Sequence, residues 1–124
     1  MSMKPVNLIV LYVDDVQKSA IFYQALLGLQ PNVLSEGFIA FHMPGGLMLG
    51  LWRKATAKPE AEGGPGVSEI GVMMDAPGGV AAFYRQAEAD GYIILQPLAT
   101  APFGPTFVIA DPDGHRIRVC EPDK

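Results

Sequence analysis

With 124 residues, 49% hydrophobic and 18% charged, the chain is long enough to bury a sizeable core and too apolar to remain disordered. Nine Lys and Arg against 13 Asp and Glu leave a net charge of −4, and no basic run exceeds Arg53-Lys54, which argues against a nucleic-acid partner. The single cysteine, Cys120, has no disulfide partner or metal-spaced companion and suits a reducing cytoplasm.

The first apolar run, Val6 to Val13, is interrupted by Asn7 and stopped by Asp14-Asp15. It is too short for a membrane span and lacks the form of a secretory signal, so a cytoplasmic protein without membrane contact is expected. Residues 7–13 are β-branched and aliphatic and read as a strand apolar on both faces, hence buried. Asp14 or Asp15 offers an N-cap, Val16, Ala20, Tyr23 and Leu27 follow helical spacing, and Gly28 fits the stop, so a helix is expected over 15–27. Strands follow near 31–35, 37–43 and 46–52, the last two joined by Pro44-Gly45-Gly46.

Residues 54–66 have no period and read as an exposed connector. Beyond them a strand at 68–74 and a helix at 75–90, stopped by Gly91, lead into strands near 92–97, 105–110 and 115–120. Asp111-Pro-Asp-Gly114 supplies a tight turn between the last two, its carboxylates capping backbone amides. The order βαβββ thus occurs twice, and the residues repeat with it. Asp14 and Phe22-Tyr23 recur as Asp75 and Phe83-Tyr84, and Gly46-Leu-Met-Leu-Gly-Leu-Trp52 recurs in outline as Gly114-His-Arg-Ile-Arg-Val-Cys120. Two copies of one supersecondary unit imply an α+β fold in a single domain, with module one over about 5–53, a connector over about 54–66 and module two over about 67–122. Equivalent positions are expected to face a shared cavity.

Strand alternation separates two faces. Ile9, Leu11, Val13, Leu47, Leu49, Leu51, Ile70, Val72, Ile117 and Val119 form an aliphatic set suited to packing under the helices. The opposite set mixes chemistries: Leu8, Val10 and Tyr12; Met48, Gly50 and Trp52; Val67, Glu69, Gly71 and Met73; Arg116, Arg118 and Cys120. Trp52, the only tryptophan, is either a packing residue or a stacking surface for a ligand, and Tyr12 and Phe103 carry the same two readings. Glu69 and Arg118 are either a structural pair or the polar centre of a site. Met48 and Met73 adapt to a ligand's shape, while Gly50 and Gly71 leave space. His42 and His115, both placed on outward or turn-adjacent positions, make no catalytic dyad, and Cys120 lacks a paired base.

The chain resembles the vicinal oxygen chelate superfamily, which contains glyoxalase I, extradiol dioxygenases and bleomycin-resistance proteins. The motifs are Val13-Asp-Asp-Val-Gln-Lys-Ser-Ala-Ile-Phe-Tyr23 with Leu27-Gly28, and Phe107-Val-Ile-Ala-Asp-Pro-Asp-Gly-His-Arg-Ile-Arg-Val119. The resemblance implies two βαβββ modules curled into an open, eight-stranded barrel-like sheet around a cavity, usually in a homodimer. It also places the metal-ligand positions of metal-dependent members at Leu8, Gly50, Glu69 and Arg118. Of these only Glu69 is a donor, so no metal cofactor, and neither lactoylglutathione lyase nor dioxygenase chemistry, is expected. Leu8-Ile-Val-Leu-Tyr-Val13, Leu49-Gly-Leu-Trp52, Ser68-Glu-Ile-Gly-Val-Met73 and Phe103-Gly-Pro-Thr-Phe107 are similar to the phenazine-antibiotic resistance group, which binds a planar tricyclic drug without metal.

The leading expectation is therefore a protein that sequesters a flat aromatic compound, stacked on Trp52 and held by Arg118 or Arg116. The alternative is a metal-free enzyme of the same fold with Glu69 as general base. A third reading gives the protein a vestigial cavity and an interaction role through its dimer surface.

Overall fold

The computed structural model describes residues 3–121, so the expected end of the second module at 122 lies outside the described residues. The chain divides into two compact units at Gly63 and Gly64, within the expected connector. No helix among the described residues is long and apolar enough to cross a membrane.

The first unit comprises β1 (Leu8–Val13), α1 (Val16–Leu27), β2 (Asn32–Ser35), β3 (Phe38–His42) and β4 (Met48–Arg53), followed by a short 3-10 turn at Lys54–Thr56. Its sheet runs β1-β4-β3-β2, with β1 parallel to β4 and the other pairs antiparallel. The Asp15 carboxylate begins α1 by accepting from the Gln17 and Lys18 amides at 3.0 and 3.1 Å, which satisfies two donors that the first helical turn cannot pair internally. Gly28, at φ +68°, ends the helix and donates its N–H to the Gln24 carbonyl at 2.9 Å. The helix lies against β3 and β4, and Val16, Ala20 and Tyr23 are buried together with Ile39, Phe41, Leu49 and Leu51.

β1 departs from expectation. Its composition suits a strand buried on both faces, yet only Val13 is fully buried, and Leu8, Ile9 and Tyr12 are 44%, 37% and 37% exposed. The reason is position: β1 is an edge strand of its sheet, a location that residue content alone does not reveal.

The second unit repeats the plan with β5 (Glu69–Met73), α2 (Gly79–Ala89), β6 (Ile93–Ala101), β7 (Gly104–Ala110) and β8 (Arg116–Cys120), ordered β5-β8-β7-β6. Among the described residues, two helices and eight strands in two mixed sheets make an α+β fold, and neither sheet closes on itself. α2 begins at Gly79 instead of following Asp75 directly, because Pro77 disfavours helical backbone at Ala76 and Gly78 then turns through φ +82°. No side chain of the helix's own start caps it; the Gly78 N–H is taken by Glu121 Oε1 at 3.0 Å. β6 also runs further than expected, through Pro97, which an edge strand tolerates and which falls within a register irregularity against β7 between Gln96 and Ala99.

α2 packs on β6 and β7, with Phe107 fully buried and the rings of Tyr84 and Phe83 set edgewise to it at 5.2 and 6.0 Å. The turn after β7 is organised by Asp111, whose buried Oδ1 accepts from the Asp113 and His115 amides at 2.9 and 2.8 Å. Asp111→Ala leaves both donors without that acceptor, and its expected cost is about 1–3 kcal/mol in denaturant unfolding. An unchanged midpoint would contradict this role for the carboxylate.

Candidate functional site

In the first unit the strand register places the expected residues in rows. Leu8, Val10 and Tyr12 of β1 pair with Met48, Gly50 and Trp52 of β4, and His42, Ala40 and Phe38 of β3 pair with the same three from the other side. His42 therefore shares the face of Met48, although sequence reading set it outside. The half-buried Trp52 ring lies 6.2 Å from Tyr12 and 5.8 Å from Phe38, tilted by 38° and 59°. Three aromatic rings thus line one end of the face, an arrangement suited to stacking a flat ligand.

Gly50 does not leave a vacancy. A Cβ added there would stand 2.7 Å from Phe38 Cζ, so the missing side chain is already filled by the Phe38 ring. The glycine admits Phe38, and Phe38 in turn flanks Trp52. Gly50→Ala is expected to destabilise the fold by about 1–3 kcal/mol through overpacking, whereas Gly71→Ala, where nothing lies within 4 Å of the added Cβ, is expected to be near neutral. Equal thermal midpoints for the two variants would contradict this distinction.

In the second unit the central group is Arg118. Its Nε donates to Glu69 Oε1 at 2.6 Å, and its Nη1 donates to Gln96 Oε1 and Thr106 Oγ1, both at 3.2 Å. The Arg118 and Glu69 side chains are 26% and 38% exposed, so water screens the pair and its value lies in orientation more than in stability. Glu69 lies opposite Arg116 and Gly71 lies opposite Arg118 in the β5–β8 register. Met73, 64% exposed, stands at the far end of the same row opposite Cys120. Phe103 sits at the tip of the β6–β7 hairpin, 42% exposed and three residues from Thr106, on the order of 10 Å along the strand.

Three residues of these clusters escape sequence reading. Phe38 falls in an expected strand, but its station beside Trp52 depends on an interstrand register that alternation within one strand does not supply. Thr106 is brought to Arg118 by the pairing of β7 with β8, and Gln96 by β6, whose pairing is irregular on both sides of it.

The family's metal positions fail as a donor set. Leu8 and Gly50 offer no side-chain donor, Arg118 is cationic, and Glu69 is engaged by Arg118. Elsewhere, the ligand atoms of Asp111, Asp113 and His115 lie within 4.8 Å of one another, but Asp111 serves the turn described above. Two grooves, one of about 430 Å³ bounded by Asp14, Lys54, Lys58 and Glu60 and one of about 360 Å³ bounded by Gly78, Leu98, Thr100, Pro105 and Glu121, share no lining residue with either cluster.

Comparison with known proteins agrees with this architecture. The profile of the glyoxalase/bleomycin resistance protein/dioxygenase superfamily matches residues 6–119. The chain belongs to that superfamily. Among its relatives in the superfamily, the phenazine antibiotic resistance protein EhpR of Enterobacter agglomerans is 33% identical over 120 residues, covering 94% of this chain and 92% of EhpR. The solution structure of protein ATC0852 from Agrobacterium tumefaciens is 36% identical, with a TM-score of 0.86 over 98% of this chain and 100% of that one. A glyoxalase-related enzyme from Fulvimarina pelagi is 27% identical, with a TM-score of 0.79 over 94% of this chain and 87% of that one. The superfamily thus spans resistance proteins and enzymes, and the residues of the two clusters must decide between them.

Proposed function

We propose that the protein binds and sequesters a small planar aromatic compound of the phenazine type, without a metal ion and without transforming it. The observation that carries this reading is the bond between Arg118 and Glu69 at 2.6 Å. It converts the one donor among the family's metal positions into part of a hydrogen-bonding network, leaving a polar anchor in place of a Lewis acid. The aromatic cluster of Tyr12, Trp52 and Phe38 supplies a stacking surface, and the similarity to EhpR supports the ligand class. Arg116 adds a second cation beside Glu69, and Met73 an adaptable apolar contact.

The reading is tested by titrating the protein with phenazine-1-carboxylate and recovering the compound. Saturable binding with the compound unchanged is expected. Turnover abolished by Glu69→Gln would overturn it and make the protein a metal-free enzyme with Glu69 as base.

A homodimer belongs to the same proposal. β1 and β5 are edge strands of their sheets, and β1 exposes Leu8, Ile9 and Tyr12, a combination that pairing with a second copy would cover. Light scattering at micromolar concentration is expected to give twice the chain mass of 13.3 kDa, and a monomer mass would contradict it.

A further inference from the structure

The hydrogen bonds of Arg118 leave a definite remainder. A guanidinium has five N–H donors. The Nε–H goes to Glu69, and Nη1 donates to Gln96 and Thr106, which leaves the two donors of Nη2 without a partner among the described residues. Thr106 is fixed in its turn, because its hydroxyl donates to the Val119 carbonyl at 2.9 Å and so turns a lone pair toward the arginine. Gln96 is aligned with Val108, which is aligned with Arg118, so the three span adjacent strands in one row. The pairing of Gln96 with Val108 stands between two register shifts, a place where a strand can redirect a side chain.

Next to Arg118 on its other side is Gly71, whose missing side chain leaves open space. The charged side chains of Glu69, Arg116 and Arg118 on this face comprise two cations and one anion, which favours a negatively charged acceptor. We infer that Gln96 and Thr106 are positioning residues that lock the Arg118 guanidinium with Nη2 presented to the ligand, and that they thereby select planar aromatic compounds carrying a carboxylate over their neutral counterparts. This rests on the proposed binding function and adds to it the ligand's charge and the residues that read it. A charge-assisted bond from a locked arginine is directional, whereas an arginine freed on one side can swing away with Glu69.

The experiment compares the affinities of phenazine-1-carboxylate and phenazine-1-carboxamide for the parent, Gln96→Ala, Thr106→Val and Thr106→Ser, with thermal midpoints recorded alongside. The parent is expected to prefer the carboxylate by about tenfold. That preference is expected to fall severalfold in Gln96→Ala and Thr106→Val and to persist in Thr106→Ser, which keeps the hydroxyl. Affinity for the carboxamide is expected to stay near the parent's, which a loss of structure alone would not permit. A parent that binds both compounds equally would overturn the selection of charge. Variants that keep the full preference would overturn the positioning role, and a parent that binds neither compound would overturn the proposed function itself.

Discussion

Trp52→Ala is expected to weaken binding of a planar aromatic ligand by about ten- to a hundredfold while the protein remains folded. Removing the indole deletes stacking and apolar contact worth on the order of 1–3 kcal/mol. Stability is expected to change less, because Trp52 is half-buried, at the end of β4, and Phe38 keeps its seat over Gly50 without it. Trp52→Phe retains a smaller aromatic face and is expected to fall between the two. Affinity and thermal midpoint measured on both variants decide the matter. If both bind as the parent does, or if Trp52→Ala fails to fold, Trp52 is a packing residue and the stacking surface has been misassigned.

The largest effect on stability is expected from Phe107→Ala, about 3–5 kcal/mol in denaturant unfolding. Phe107 is fully buried, and the rings of Phe83 and Tyr84 pack against it edge-on. On the same strand Thr106 turns the other way to meet Arg118, so packing under α2 also sets the position of the polar network. Phe107→Leu retains much of the apolar volume and is expected to cost less. A cost below about 1 kcal/mol for Phe107→Ala would show that the core of the second unit does not depend on this ring.

Much of the architecture is legible because local chemistry and position agree. Asp15 and Gly28 bound α1 where helix-cap rules put them, and the Asp111 turn forms as its sequence implies. In β8 the aliphatic and mixed sets separate by strand alternation, with Ile117 and Val119 buried and Arg116 exposed on opposite faces, whereas in β1 Ile9 of the aliphatic set is itself exposed. What escapes is information held between strands. The exposure of β1 follows from its place in the sheet order, the filling of Gly50 follows from Phe38 across the β3–β4 register, and the recruitment of Gln96 follows from irregular β6 pairing. Pro97 conceals the length of β6 because proline ordinarily ends a strand, and here an edge location with irregular pairing accommodates it. The pairing of Glu69 with Arg118 is suggested by residue type, but its geometry required the sheet.

The most direct test of metal-free sequestration is a fluorescence titration of chelator-treated protein with phenazine-1-carboxylate, since Trp52 is the only tryptophan and reports on its own surroundings. Saturable quenching is expected, unchanged by prior chelation or by added zinc, nickel, manganese or iron, with the compound recovered intact. Binding that disappears on chelation and returns with one of those metals, or a ligand recovered as a different compound, would contradict it.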